Sequence, residues 1–560
     1  MAGAALWPLR RRAAAQPAPT DQTLYNGITL GSPWPPRLKY ADEHPVVPPY
    51  LADPPAVIPI DVGRQLFVDD FLVSDTNMTR TFHRASYHEA NPVLRPEAEW
   101  ERRDEAAERT RAPVNPAAMV FSDGVFFDPD RRRFLMWYMA GYNTATALAT
   151  STDGIHWVRP SFDVVPGTNI VDTRFRDSST IWRDPFEPDR RRRYKMSFWH
   201  DHALVLSVSP DGIHWTAIGE TAPCGDRSTI FYNPFRRVWV FSLRTIQDRA
   251  SSISGRYRLY QESRDFSATN PWQPAPVAWV KADSHDEARP GLADRPELYN
   301  LDAVAYESVL LGLFSVWRGE STSREKINEV TLGFSRDGFH WHRPDRQAFL
   351  PVSDTEGSWN WANVQSAGGG CLIVGDLLYF YVSGRRGVPG TSLPGVCSTG
   401  LATLRRDGFA SMDWLPGQMP VMRLDEGGRR SGSLTTRPVQ FSGGHLFVNA
   451  DARGGELRVE VLNREGTVIP PFTYDACVPI ASDGVRLPVR WAAPSLAPLA
   501  GRGVRFRFSL TRGRLYAFWV SPSPAGESRG FVAAGGPAYS GPTDGPSTLA
   551  PLSAAGESFS

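Results

Sequence analysis

Short apolar segments separated by polar turns dominate the sequence, and helical periodicity is almost absent. Such segments, rich in aromatic and β-branched residues, are typical of buried β-strands. Five of them stand out: Phe134–Tyr138, Tyr194–Trp199, Val238–Leu243, Val309–Trp317 and Leu377–Ser383. The pattern therefore predicts an all-β protein.

A short motif follows each of these strands. Ser151–Trp157 has the sequence Ser-Thr-Asp-Gly-Ile-His-Trp, and close copies stand at Ser209–Trp215 and Ser335–Trp341. Weaker copies at Ser263–Phe266 and Arg406–Phe409 complete a series whose Asp recurs at intervals of 54 to 72 residues. Asp accepts backbone N–H bonds in tight turns and Gly adopts positive φ, so the motif predicts a hairpin turn whose Trp packs onto the apolar layer. We therefore assign the Asp and His of these motifs to structure.

The repeat also predicts the architecture. A turn and a further strand precede each apolar strand, which gives four strands per unit and a five-bladed β-propeller over residues 62–415. The strand Gln65–Val73, apolar on both faces, is expected to close the ring. Alternating strands separated by Gly and Pro then predict a β-sandwich over residues 416–520. Residues 1–61 form a Pro-rich N-terminal extension, and residues 521–560, rich in Ala, Gly, Ser and Pro, are predicted to be a disordered tail.

Composition narrows the possible partners and compartments. The 61 basic and 60 acidic residues are interspersed, which argues against a nucleic-acid partner, and no apolar run is long enough for a membrane span. Four cysteines are too few for a disulfide framework, although a Cys371–Cys397 pair remains open. The first 20 residues are interpreted either as the remnant of a secretory signal, for a secreted or periplasmic protein, or as a disordered N-terminus of a cytoplasmic one.

Two similar segments each place an acid just before a predicted innermost strand. Phe175–Phe186 and Gly225–Phe235 both contain Asp, then Ser-Thr-Ile-aromatic, and both end in an Asp/Asn-Pro-Phe turn seven positions after the acid. The innermost strands of a propeller begin around its central funnel. We therefore expect Asp177 and Asp226 to point into that funnel, with the neighbouring Arg176 and Arg227 pairing with acids or binding substrate.

Further acids stand in other predicted units. The first unit contains Asp123, and the fourth contains Glu297, Asp302 and Glu307. Asp302 and Glu307 have opposite parity along a strand, so both face the funnel only if a bulge intervenes. Carboxylates in so apolar a segment are unexpected for packing alone, because unpaired buried charges are unfavourable.

The fifth unit has no acid at the corresponding place. It offers Trp361, Asn363 and Gln365, residue types that stack on a sugar ring and bind hydroxyl groups. Two interpretations of the funnel acids stay open: salt bridges that hold the units together, or catalytic carboxylates whose pKa values differ. No cofactor or metal-ligand motif is present, although a structural calcium ion in the funnel is compatible with the acids.

At this point the chain resembles glycoside hydrolases with five-bladed propellers, which include families 43, 32, 62, 117 and 130. Phe175-Arg176-Asp177 is similar to the Phe-Arg-Asp motif of family 32, where the Asp stabilises the transition state, and a trailing β-sandwich is also a family 32 feature. Phe121-Ser122-Asp123-Gly124 and Gly225-Asp226 depart from that family's other motifs, so its nucleophile and acid are not transferred. Over residues 62–520 the chain is most similar to bacterial glycosyl-hydrolase-like propeller proteins, and its Asp-Gly motif also resembles the sialidase Asp-box.

This resemblance implies a glycosidase that acts on an oligo- or polysaccharide through funnel carboxylates. Asp177, Asp226 and Asp302 are the first candidates, with Glu297, Glu307 and Asp123 in reserve; retention or inversion would follow from the carboxyl separation. One alternative is a non-catalytic carbohydrate-binding propeller. Another is a glycoside phosphorylase or transferase, in which Arg227 and Arg295 would bind phosphate.

Overall fold

The computed structural model of the protein describes most of the chain: residues 22–38, 44–244, 255–267, 269–415, 431–492 and 495–546. This part is almost entirely β, as the sequence predicts. Its helical segments are short: Pro49–Ala52, Glu99–Arg102, Glu105–Thr110, Arg190–Arg192 and Ala497–Leu499. None of the described helices has the length and apolar character needed to cross a bilayer. The N-terminal residues on which the two compartment interpretations rest lie outside the described residues.

Five antiparallel sheets, which we name A to E, follow one another along residues 86–405. Sheet A contains Ala118–Asp128, Arg133–Ala140, Ala145–Ser151 and Ile170–Asp172. Sheet B contains Ser179–Arg183, Tyr194–His200, Ala203–Ser209 and Thr216–Glu220. Sheet C contains Thr229–Asn233, Val238–Arg244, Tyr257–Ser263 and Val277–Lys281. Sheet D contains Glu297–Glu307, Val309–Ser321, Arg324–Ser335 and the distant Phe531–Val532. Sheet E contains Asn363–Ser366, Leu372–Val374, Leu377–Arg385, Cys397–Arg405 and Ser86–Tyr87.

The sheets contact one another in cyclic order. Ser179–Arg183, the first strand of sheet B, contacts both Ala118–Asp128 of sheet A and Thr229–Asn233 of sheet C. Thr229–Asn233 in turn contacts sheet D, and Asn363–Ser366 of sheet E contacts both sheet D and sheet A. A single large apolar cluster runs through all five sheets. The first strands therefore line the inside of a closed ring.

The repeated Asp-Gly motifs form the predicted hairpin turns. In the first motif, Asp153 Oδ1 accepts the backbone N–H bonds of Ile155 and His156, both at 2.8 Å, and Gly154 has φ +77°. The sequence did not reveal a further contact, in which His156 Nδ1 lies 2.7 Å from Asp153 Oδ2. The assignment of these Asp and His residues to structure is confirmed for this motif.

Each full motif also attaches its sheet to the preceding one. A backbone carbonyl in the motif accepts a hydrogen bond from an aromatic side chain of the neighbouring sheet. The three bonds run from Tyr381 Oη to Gly154 O (2.5 Å), from Trp137 Nε1 to Gly212 O (2.8 Å) and from Trp279 Nε1 to Phe339 O (2.7 Å). The repeat thus serves both to close hairpins and to fasten one sheet to the next.

The Asp153 turn predicts a pH dependence of stability. Partial burial opposes ionisation of Asp153, but hydrogen bonds from His156 and Ile155 prevail and lower its pKa to about 2. Since the unfolded pKa is about 3.9, this carboxylate stabilises the fold above that pH, and the contribution is lost as the pH falls toward 2. Urea unfolding should show that wild type is more stable than Asp153→Asn at pH 5 and that the difference shrinks by pH 3. A difference that grows on acidification would contradict this assignment.

Residues before and after the ring pack together around a second apolar core. One sheet, named F, contains Asp483–Pro488, His445–Asp451, Gly513–Ser521, Ala410–Trp414, Thr79–Phe82 and Gln65–Leu66. The other, named G, contains Leu457–Leu462, Arg505–Leu510, Gly432–Thr436 and Val73–Thr76. Short pairings outside these sheets join Gln22–Thr23 to Thr29–Leu30 and Ile58–Pro59 to Val439–Gln440. Val448 and Phe518 of sheet F and Val459 and Phe508 of sheet G share this core.

The predicted domain boundaries are wrong at both ends of the ring. Gln65–Leu66 pairs with Gly513–Ser521 in sheet F, so the Gln65–Val73 segment does not close the ring. The apolar residues that suggested burial on two sides, such as Phe67 and Leu72, belong to the second core. Ser86–Tyr87 completes sheet E instead, by pairing with Cys397–Arg405. The Cys371–Cys397 pair that the sequence left open is not formed, because all four cysteines are free and buried.

The predicted disordered tail is wrong as far as residue 546; residues 547–560 lie outside the described part. Phe531–Val532 pairs with Tyr306 and Glu307 at the end of the first strand of sheet D. The following backbone crosses the ring: Phe127 N donates to Ala534 O at 3.0 Å, and Ile373 N donates to Gly535 O at 2.9 Å. Composition is a poor guide here because backbone hydrogen bonds, together with a few apolar side chains such as Val532 and Tyr539, hold the segment.

Candidate functional site

The first strands of the five sheets begin at one end of the ring, which we call the mouth. Asp177 and Asp226 lie two and three residues before the first strands of sheets B and C, and Glu297 begins the first strand of sheet D. Antiparallel second strands return to this end, which brings Arg244 and Arg385 to it. The mouth therefore gathers acids and arginines from separate sheets.

Asp177 is partly exposed at the mouth. Arg176 Nε donates to the backbone oxygen of Asp177 at 2.9 Å, which holds the chain at this point. Among the described residues, no arginine, lysine or histidine forms an ion pair with its carboxylate. Its charge nevertheless acts on Arg227, Arg244 and Tyr142, so these groups surround it.

Asp302 lies deeper, with only 2% of its surface exposed. Its Oδ2 accepts hydrogen bonds from Ser366 Oγ at 2.6 Å, Ser122 Oγ at 3.0 Å and Asn300 Nδ2 at 3.0 Å. Its Oδ1 is buried and has no donor in the described part of the chain. Burial raises the pKa of Asp302, an effect that the charge of Arg227 and the hydroxyl groups oppose.

Arg227 is a buried cation close to these acids. Its Nη1 donates to Phe121 O at 3.3 Å, and its guanidinium carbon lies 3.7 Å from the centre of the Phe121 ring. Burial lowers its pKa, while Asp302 and Asp177 oppose that shift. It does not pair with Asp226, contrary to one of the two expectations from the sequence.

Three of the predicted acids are instead paired with arginine. Asp123 is buried and takes a two-point contact from Arg176, at 2.5 and 3.0 Å. Asp226, 36% exposed, pairs with Arg244. Glu297 pairs with Arg256 at 2.6 Å. For these three acids, and for Arg176, the salt-bridge interpretation accounts for the contacts.

Glu307 lies at the opposite end of its strand from the mouth. It is fully buried, with φ +50°, and its carboxylate contacts Arg64 at 3.4 Å, Arg406 at 2.9 Å and Ser528 Oγ at 2.6 Å. Asp302 and Glu307 therefore face different surroundings, and Glu307 belongs to the junction with the second core. Its place in the predicted site is wrong.

The three predicted sugar-binding residues of sheet E lie at the mouth but are mostly enclosed. Gln365 Nε2 donates to Asn363 Oδ1 at 2.9 Å, and both side chains are buried. Trp361 lines a cleft of about 750 Å³, yet it is only 6% exposed because the Arg324 guanidinium lies 4.6 Å above its ring. Of the three residues, Trp361 alone lines this cleft, together with Arg289, Ser323, Arg324 and Glu356.

A second cleft, of about 610 Å³, adjoins the first at Ser321 and was not predicted from the sequence. It is lined by Tyr142, Glu325, Lys326 and Arg385, and Arg385 Nη1 donates to Glu325 Oε1 at 2.9 Å. Each of these residues stands at a strand end or in a hairpin that returns to the mouth. Charged residues placed just beyond an apolar strand were the signal that could have found Arg385 and Glu325.

The described residues include no group of three His, Cys, Asp or Glu side chains arranged to hold a metal ion. The site accordingly consists of carboxylates, guanidinium groups, hydroxyl groups and aromatic rings. Such a set can exchange protons, bind hydroxyl groups and attract anions.

No protein-family model matches the chain, and no curated protein matches its sequence. In structure it is similar to a thermostable family-43 glycoside hydrolase, with a TM-score of 0.37 and 13% identity over 56% of this chain and 99% of that one. A glycosyl hydrolase from Bacteroides ovatus gives 0.38 and 12% over 61% and 96%. The β-1,2-mannobiose phosphorylase from Listeria innocua gives 0.34 and 14% over 57% and 96%. The chain resembles family-43 glycoside hydrolases and related enzymes at a distance.

Proposed function

We propose that the protein is a carbohydrate-active enzyme that cleaves a glycosidic bond at the mouth of the ring. The observation that carries the proposal is the contrast between Asp177 and Asp302. Both lack an ion pair within the described chain, and one is partly solvated while the other is buried. Two carboxylates in such different surroundings are what acid–base cleavage of a glycosidic bond requires.

The surroundings suggest a role for each acid. Burial raises the pKa of Asp302, which favours its protonated form. Because Oδ2 already accepts three hydrogen bonds, the proton belongs on Oδ1, from which it can pass to the leaving oxygen. Asp177, in contact with solvent, acts as the charged partner that stabilises the developing positive charge on the sugar or activates water.

The proposed site belongs to a five-bladed β-propeller whose blades are sheets A to E, with sheets F and G forming a β-sandwich beside it. The cyclic contacts of the first strands and the attachment of each motif to the preceding sheet support five blades. The shared core of sheets F and G supports the sandwich. The segment from residue 531 to 535 would close the end of the ring opposite the mouth.

A polysaccharide digestion screen tests this function. Wild type is expected to release sugar from at least one substrate, and Asp177→Asn to lower the rate by about 10²–10⁴-fold, since it removes a charged catalytic group. Asp226→Asn is the matched control at the same mouth, and its smaller effect is expected because Asp226 already pairs with Arg244. Equal activity of wild type and Asp177→Asn would remove Asp177 from the mechanism.

Carbohydrate binding without cleavage is the second candidate. The observation that favours it is the pairing of Asp123, Asp226, Glu297 and Glu307 with arginines, which leaves few free carboxylates. A protein that only binds carbohydrate would be retarded in affinity electrophoresis by the carbohydrate in the gel. It would release no sugar from any of the carbohydrates tested. Release of sugar that depends on Asp177 would exclude this candidate.

A further inference from the structure

Arg227 has two donors that no part of the described chain accepts. The side chain is 1% exposed, and its Nε and Nη2 atoms are both buried without a hydrogen-bond partner. Its single hydrogen bond, from Nη1 to Phe121 O, is long at 3.3 Å. A buried cation is unfavourable unless an acceptor or an opposite charge contacts it.

The same pair of nitrogens binds carboxylates elsewhere in this chain. Nε and Nη2 of the buried Arg336 contact the two oxygens of Asp69 at 2.8 and 2.9 Å. Nε and Nη2 of the exposed Arg453 contact Asp451 at 2.9 and 2.7 Å. These two nitrogens point the same way and match the two oxygens of an oxyanion. Arg227 presents this edge of its guanidinium without such a partner.

Neighbouring arginines add to the positive charge but do not supply the acceptor. The guanidinium carbon of Arg385 lies 5.4 Å from the centre of the Phe121 ring that Arg227 covers, and Arg385 already pairs with Glu325. Arg258 Nη2 donates to the backbone oxygen of Arg227 at 2.7 Å. Two guanidinium groups thus lie near the Phe121 ring, and a third contacts the backbone of Arg227. The carboxylates whose charges act on Arg227, those of Asp302 and Asp177, are beyond ion-pair distance.

We propose that Arg227 anchors an oxyanion at the mouth, either the carboxylate of an acidic sugar or a free phosphate, through its Nε and Nη2 atoms. The inference rests on the proposed function and names the chemistry of its substrate. Arg385 and Lys326 line the adjoining cleft and would attract the anion toward the mouth. Burial raises the pKa of Asp302, and its neutral form reduces repulsion of the bound anion.

Calorimetric titration of the full chain with three probes tests the site: galacturonate, its neutral parent galactose, and inorganic phosphate. Wild type should bind galacturonate or phosphate at least ~10-fold more tightly than galactose. Arg227→Lys keeps the charge but loses the paired donors, and should weaken anion binding by at least ~10-fold. Arg453→Lys is the matched control, in which anion affinity should not change.

The outcomes separate the two sources of the anion. Binding of galacturonate assigns the oxyanion to the sugar, whereas binding of phosphate alone assigns it to a co-substrate and predicts phosphate-dependent turnover. Binding of neither anion, galactose binding as tightly as galacturonate, or unchanged anion affinity in Arg227→Lys would overturn the inference. The first two outcomes need only wild type, so they decide the matter even if the variant fails to fold.

Failure of this inference is distinguishable from failure of the proposed function, because binding is measured without turnover. Asp177→Asn should bind the anion at least as tightly as wild type while losing cleavage, because it removes a negative charge that acts on Arg227. Cleavage of neutral substrates without anion binding would preserve the proposed function and remove the oxyanion site. Anion binding without cleavage would preserve the oxyanion site and remove the proposed function.

Discussion

Asp302→Asn is expected to lower kcat/KM by about 10²–10⁴-fold while leaving the free energy of unfolding close to that of wild type. The amide keeps the size of the side chain, and its oxygen still accepts hydrogen bonds from Ser122 and Ser366. The amide group is not acidic, so it cannot give a proton to a leaving oxygen. Since burial raises the pKa of Asp302 and favours its neutral form, a neutral replacement does not remove a stabilising charge.

Asp123→Asn is the matched control for this prediction. Asp123 is also fully buried, within the first strand of sheet A, but it contacts Arg176 at two points. Its replacement leaves the buried Arg176 without its partner, so about 3–5 kcal/mol of stability should be lost. Urea unfolding and steady-state kinetics of both variants provide the comparison. An Asp302→Asn enzyme as active as wild type would exclude Asp302 as the proton donor.

The pH profile of wild type provides a further check on the same residue. A proton donor is active in its protonated form, so turnover should fall as the pH rises through the raised pKa of Asp302. Loss of this alkaline limb in Asp302→Asn would identify Asp302 as the group that titrates. A limb that persists unchanged in Asp302→Asn would assign it to another residue.

The parts of the fold that the sequence predicts are those with local and repeated signals. Asp153 and Gly154 show why: the turn depends on contacts within four residues, so the sequence carries all of its chemistry. The acids before the first strands of sheets B and C are predictable for the same reason. Their positions depend on the offset from an adjacent apolar strand.

Partners distant in the sequence could not be predicted. Asp123 and Arg176 lie on different sheets, 53 residues apart, and their pairing depends on how the two sheets meet. Asp226 and Asp302 are equally good candidates in the sequence. In the structure, however, Asp226 pairs with Arg244, whereas Asp302 accepts hydrogen bonds from hydroxyl groups. Which acid stays free of arginine is a property of the assembled ring.

The junction between the two apolar cores could not be predicted from the sequence either. Arg64 comes from the N-terminal segment, Glu307 from sheet D and Asp407 from the motif after sheet E, and all three are buried. Alternation along a strand explains why Glu307 and Asp302 face different sides of the sheet. It does not indicate that Arg64, more than 240 residues away, is its partner.

Arg64→Met is expected to lower the free energy of unfolding by about 3–5 kcal/mol. Arg64 Nη1 donates to Asp407 Oδ2 and to Val485 O, both at 2.8 Å, and its guanidinium lies 4.1 Å from the Trp519 ring. Methionine retains much of the apolar contact but leaves Asp407 and Glu307 without this cation. Asp407 then loses its arginine partner and Glu307 keeps only Arg406, and this excess of buried negative charge provides the destabilisation.

Urea unfolding of the full chain measures this effect, and Arg453→Met serves as the control. Arg453 is exposed and pairs with Asp451, so its replacement should leave the free energy of unfolding close to that of wild type. Neutralising the partners as well, in Arg64→Met/Glu307→Gln/Asp407→Asn, should recover part of the loss because it removes the excess of buried negative charge. Because these residues connect the ring to sheet F, we also expect the unfolding transition of Arg64→Met to separate into two steps. A single transition with less than about 1 kcal/mol of loss would show that the two cores are joined by apolar packing rather than by this charge network.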